Sequence, residues 1–138
     1  MRRLIFAAAF LPAVALAQSV TAPRTIDMTV VLTDMNGNPI RDNTQPPTAD
    51  DPQCAKCAGL TLGRAVALVE CADRPEDRNA AAVDKAKRCA LGLRIMDDKA
   101  AVLTAAQTKE IIDRAALLTP IIVTRLVPLI DPAIDLTK

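Results

Sequence analysis

Residues 60–72 read Leu-Thr-Leu-Gly-Arg-Ala-Val-Ala-Leu-Val-Glu-Cys-Ala. Leu62, Val66 and Val69 recur at the three-to-four-residue spacing of one helical face, and Thr61 stands where a hydroxyl can accept a hydrogen bond from the first turn. The stretch predicts a helix from about Leu62 to Ala72. Asp73-Arg74-Pro75 breaks it, and the same residues suit the start of a second helix over about 75–96. In that second helix Ala80, Val83, Ala86, Ala90 and Leu93 recur at helical spacing and predict its inward face. Arg78, Lys85, Lys87 and Arg88 fall away from it and are expected in solvent.

Further along, Thr104-Ala105-Ala106-Gln107 is a capping box, in which each polar side chain can bond the other's backbone N–H. It opens a third helix to about Leu118, with Ile111, Ala115 and Leu118 inward. Thr119-Pro120 restarts the chain as a fourth segment to about Ile130. Pro128, which has no N–H to give, should bend or end it, and Asp131-Pro132 stops it. The apolar content of this segment reads as a buried core helix.

Upstream of Leu60 the pattern is different. Met28 to Thr33 (Met-Thr-Val-Val-Leu-Thr) is β-branched enough for a strand. Asn36-Gly37 is a hairpin turn signal, and Asn38-Pro39-Ile40 begins a short return arm, since Pro39 cannot donate to a ladder. Residues 41–58 are a polar, proline-rich loop, and residues 18–27 read as a tether. The fold class is mainly α: a short N-terminal β-hairpin followed by a small bundle of three to four helices, with 28–58 as hairpin and loop, 59–138 as the bundle, and 28–138 as one domain.

The N-terminus carries a separate message. Met1-Arg2-Arg3 is cationic, Leu4 to Leu16 has no charge, and Ala15-Leu16-Ala17 is a small-x-small site with cleavage expected between Ala17 and Gln18. These three parts in order make residues 1–17 a signal peptide. The apolar run falls short of the about 20 residues that span a bilayer, so no stable membrane span is expected after cleavage. The expected location is periplasmic or secreted. A start at Met28 would instead leave the protein cytoplasmic.

Composition excludes several chemistries. Both phenylalanines lie in the leader, and the rest of the chain has no Phe, Tyr, Trp or His. Aromatic platforms for bases or sugars are therefore missing, as is the commonest general base. Ser19 is the single serine, which rules out a serine triad. The whole chain carries a formal charge of +1, and loss of Arg2 and Arg3 leaves it near neutral, without the basic footprint of a nucleic-acid binder. No catalytic residues and no cofactor are expected, and the protein is read as non-enzymatic, with another protein as its partner.

Four cysteines, Cys54, Cys57, Cys71 and Cys89, are the disulfide candidates, as befits an exported domain. If the first two helices form an antiparallel pair, Cys71 lies beside the connecting turn and Cys89 about fourteen residues into the second helix, roughly 20 Å away at 1.5 Å per residue. That exceeds the about 7 Å a disulfide tolerates, so Cys89 is expected to pair with Cys54 or Cys57. Two alternatives remain open. One is zinc on Cys54, Cys57 and Cys89, favoured by Cys-x-x-Cys but lacking a second paired half. The other is a thiol redox site at Cys54 and Cys57, just ahead of a helix. The adjacent carboxylates Asp50-Asp51 and Asp97-Asp98 read as solvated turns, and Asp34-Met35-Asn36-Gly37-Asn38 reads as a turn rather than a calcium loop.

From Met28 onward the chain resembles small proteins of phages and prophages. The stretches that carry the resemblance are 32–40 (Leu-Thr-Asp-Met-Asn-Gly-Asn-Pro-Ile), 60–65 (Leu-Thr-Leu-Gly-Arg-Ala) and 103–107 (Leu-Thr-Ala-Ala-Gln). The resemblance implies a strand and turn before the Leu-Thr-Leu-Gly helix, a charged helix and then a Leu-Thr-capped helix. It implies no catalytic residues. With a start at Met28, the alternative function is a cytoplasmic phage-type assembly or accessory protein, with zinc on the cysteines.

Overall fold

The computed structural model describes residues 23–45, 48–52 and 57–136. The expected leader, with cleavage expected between Ala17 and Gln18, falls outside these residues, as does Cys54. Among the described residues the fold is mainly α, a small bundle of four helices with one two-stranded antiparallel sheet.

Helix α1 (Leu62–Cys71) begins where the Thr61 hydroxyl accepts the Arg64 N–H at 3.3 Å. Leu62, Ala65, Val66 and Val69 are fully buried, and a buried side chain of this kind contributes about 1.5–3 kcal/mol. α1 is the hub of the bundle and touches every other helix: α2 (Ala82–Asp97), α3 (Ala105–Ala115) and α4 (Pro120–Ile130). The Thr104–Gln107 capping box forms as the sequence predicts. Pro120 opens α4, which buries Leu126, Val127 and Ile130 and continues two residues past Pro128. Both Pro128 and Thr124, whose carbonyl the missing N–H would have met, face solvent, where water can take the place of the lost bond.

The sheet is not where the β-branched run suggests. β1 is Arg24–Asp27, inside the expected tether, and it pairs with β2, Ala100–Leu103, between α2 and α3. Ile26 lies opposite Ala101, and both face the core. Met28–Thr33 instead runs as extended chain between other segments. Its Leu32 N–H donates to Leu60 O and its carbonyl accepts from Ile40, while Val30 and Met28 accept from Leu62 and Gly63 at the start of α1. The Asn36-Gly37 turn is present. Gly37 has φ +82°, a conformation glycine adopts without strain, and Asp34 accepts the backbone N–H groups of Asn36 and Asn38. Arg125 of α4 donates to the Thr33 and Asp34 carbonyls and ties this turn to the bundle. The polar loop is anchored in turn by Asp42, which is buried and ion-paired with Arg64 of α1.

Two expectations about α2 fail. The chain does not enter α2 at Pro75. Pro75–Asn79 is a 3-10 turn, and the α-helix starts only at Ala82. This extra connection slides α2 along α1. A Cβ on Gly63 would lie 3.2 Å from Met96 Cα, and a Cβ on Gly92 would lie 3.1 Å from Ala67 Cα. In the same antiparallel register Cys71 faces Cys89, with Cα atoms 4.2 Å apart, and the two form a disulfide. The expected pairing of Cys89 with Cys54 or Cys57 is therefore corrected. Cys57 is itself disulfide-bonded.

The second correction concerns the inward face. Val83 is 62% exposed and Leu93 46%, and Ala86 and Ala90 also face solvent. The face that meets α1 is made of Arg88, Cys89, Gly92, Ile95 and Met96. Gly92 and Ile95 are buried and the other three half-buried. Close backbone approach selects small residues here, because a Cβ at Gly92 would stand only 2.8 Å from Glu70 Cβ. Among the described residues no helix is long and apolar enough to cross a membrane.

Candidate functional site

The register that joins the cysteines also gathers charge at the C-terminal end of α1. The last turn of a helix leaves carbonyls without partners. Here the Arg114 side chain, reaching across from α3, donates from Nε to Val69 O at 3.2 Å and from Nη2 to Ala72 O at 2.5 Å. The same Nη2 meets Asp77 Oδ2 at 3.0 Å. Asp77, in the 3-10 turn, spends its other oxygen on Arg88 Nη2 at 3.0 Å and also accepts the Arg74 N–H. Its hydrogen bonds from Arg114 and from the Arg74 backbone hold its carboxyl down at about 2.

Around this core opens a cleft of about 440 Å³ lined by Arg74, Asp77, Arg88, Lys109, Glu110 and Arg114, among others. Lys109 is paired with Asp113 on the outer face of α3. Beneath lies Glu70, 2% exposed, with neither carboxylate oxygen hydrogen-bonded. Burial, with the Glu110 charge added, raises its pKa to about 7, against the pull of Arg114, Arg88 and Arg74. A buried carboxyl without partners lowers its cost by taking up a proton. Three guanidinium nitrogens are also buried without an acceptor: Arg74 Nε and Nη2, and Arg88 Nε. The cluster thus holds donors and a protonatable acid that the fold itself leaves unsatisfied.

A second feature lies beside the disulfide. A groove of about 480 Å³ between α1 and α2 is mostly apolar, lined by Ala67, Leu68, Cys71, Leu93 and Met96, with Arg64 and Thr44 at one end. Leu93 joins it to the exposed stripe of Val83, Ala86 and Ala90.

Of the residues singled out from the sequence, Cys71 and Cys89 are brought together. Cys54 lies outside the described residues. The zinc set of Cys54, Cys57 and Cys89 is corrected, because the sulfurs of Cys57 and Cys89 are committed to disulfides and cannot act as thiolate ligands. Asp97 and Asp98 are exposed, as expected of a turn. Arg88, expected in solvent, is instead ion-paired with Asp77 and largely covered. Glu70 was legible but unread: it falls eight residues after Leu62 and four after Val66, on the apolar face of α1. Nothing local marks Asp77 or Arg114, which become partners only in the fold.

No family model matches the chain, and comparison with curated proteins and with solved structures finds no match.

Proposed function

We propose that this is an exported, non-enzymatic helical protein that acts by binding another protein through α2. The observation that carries the reading is the outward stripe of Val83, Ala86, Ala90 and Leu93, continuous with the α1–α2 groove. Apolar surface left in water forgoes roughly 25 cal/mol per Å², and a contiguous patch of it marks an interaction surface. Small residues at the centre of the stripe let another helix approach closely. Exposed Lys87 and Arg94 flank the stripe and Arg64 lines the groove. The partner that fits is therefore an amphipathic helix with carboxylates beside its apolar face. The leader and the oxidised cysteines support a location outside the cytoplasm.

The test is site-specific photocrosslinking in the native host, with the probe at Leu93 and, as a control, at Val102, which is 63% exposed on β2. The expected result is one adduct from Leu93, absent from Val102, that disappears with Val83→Asp and maps to an acidic amphipathic helix. No adduct at Leu93, or the same adduct from both positions, refutes the reading.

A further inference from the structure

The geometry points to the cleft between the 3-10 turn, α2 and α3 as a binding site for a tetrahedral oxyanion, held by the guanidinium groups of Arg74 and Arg88. This inference is independent of the partner-binding face, which lies on the other side of α2.

Three arginines converge on the cleft from three different elements: Arg74 from the connection, Arg88 from α2 and Arg114 from α3. Arg114 commits its Nε and Nη2 to two carbonyls and Asp77. Asp77 in turn has given one oxygen to Arg88 and the other to Arg114 and the Arg74 backbone. That leaves Arg74 Nε and Nη2 and Arg88 Nε buried without an acceptor. A buried donor left unmade is costly, and guanidinium groups present their N–H vectors in the planar fork that matches an oxyanion. The cleft, at about 440 Å³, is in the size range of small-molecule sites. The ligand is therefore a free oxyanion or the terminal phosphate of a small molecule, the two sharing the same chemistry.

The groups facing the site from each packed element include carboxylates, and these set its pH dependence. Asp77 is neutralised by its two arginines, and Asp113 is paired with Lys109. Glu110 from α3 is the opposing charge at the cleft wall. Glu70 from α1 lies beneath, facing Arg74, Arg88, Arg114 and Glu110. When Glu70 is neutral the cluster carries one more net positive charge, so anion uptake and Glu70 protonation reinforce each other.

Sulfate is the probe, because it does not titrate near neutrality. The full processed chain with its disulfides intact is titrated with sodium sulfate against sodium chloride at matched ionic strength, with binding read by calorimetry. Saturable one-to-one binding is expected, about tenfold tighter at pH 6 than at pH 8, the ratio of neutral Glu70 at those two pH values for a group titrating at about 7. Glu70→Gln should bind equally at both. Arg74→Gln should weaken binding at least about tenfold, while Glu110→Gln should strengthen it. At pH 8, glycerol 3-phosphate binding more tightly than sulfate assigns the site to small phosphomonoesters, and equal or weaker binding assigns it to a free ion. Absence of saturation, or equal sulfate affinity in a folded Arg74→Gln protein, overturns the site. A Glu70→Gln protein that keeps the tenfold pH effect overturns the coupling.

Discussion

Cys71 ends α1 and Cys89 stands in the middle of α2, yet their Cα atoms are 4.2 Å apart. The disulfide closes a loop that contains the whole 3-10 turn and the first half of α2. In the chain-entropy view a crosslink of this loop length contributes about 3 kcal/mol, chiefly by restricting the unfolded chain. The double substitution Cys71→Ala with Cys89→Ala should lower the unfolding free energy by about 2–4 kcal/mol in denaturant titration. A change under 1 kcal/mol would show that the α1–α2 register holds itself.

Glu70 makes stability depend on pH in an unusual direction. Its folded pKa, about 7, lies above its ordinary value of 4.5. The folded state therefore holds the proton more tightly, so its stabilising effect is complete below pH 4.5 and is lost as pH rises to 7. Stability of the Glu70→Gln protein relative to wild type should rise by about 2 kcal/mol between pH 5 and pH 8. A pH-independent difference would mean that Glu70 is ionised throughout. Asp77 acts in the opposite sense, because its depressed pKa makes its contribution vanish only as pH falls from 3.8 toward 2.

Gly92 is the point where α2 meets the backbone of α1. Gly92→Ala normally gains helix propensity, but here the added methyl would collide with Glu70 Cβ and Ala67 Cα. The expected outcome is a net loss of about 1–3 kcal/mol in thermal or denaturant unfolding. An unchanged or raised midpoint would show that the two helices can separate at little cost.

The two charged pairs of α3 should behave very differently. Arg114→Leu strips partners from Asp77 and from the Val69 and Ala72 carbonyls, and should cost about 3–5 kcal/mol. Lys109→Ala breaks an exposed i, i+4 pair with Asp113, and should cost under about 0.5 kcal/mol. Comparable losses from the two would contradict the buried network.

The intact mass of protein taken from its own host, with thiols alkylated before and after reduction, should begin at Gln18 and show no label before reduction. A chain beginning at Met28 with four reactive thiols would return the protein to the cytoplasm.

Much of the helical frame was legible because its signals are local. Thr61 with Leu62, Val66 and Val69, the Thr104–Gln107 box, and Thr119-Pro120 each announce a helix within a few residues. The sheet was not legible, since β1 and β2 are four residues each and neither has meaning without its distant partner. α2 was misread for a subtler reason. Its most regular apolar stripe, Val83 to Leu93, is not the face it buries. Where α2 meets α1 backbone to backbone, the close approach at Gly92 decides the buried face, and hydrophobic periodicity then points outward. Of the charged cluster, only Glu70 left a local trace, a carboxylate on an apolar face.

The pairing of β1 with β2 also orders events in time. In a chain emerging from its N-terminus, β1 appears before every other described element, but its partner strand follows all of α1 and α2. Contacts so distant in sequence form slowly. The helical pair, linked by a connection of ten residues, 72–81, can close first. Ile26 must then wait, uncovered, until Ala101 arrives. During that interval the strand is open to capture by a chaperone or by the matching edge of a neighbour, and export of the unfolded chain, as proposed, would lengthen it.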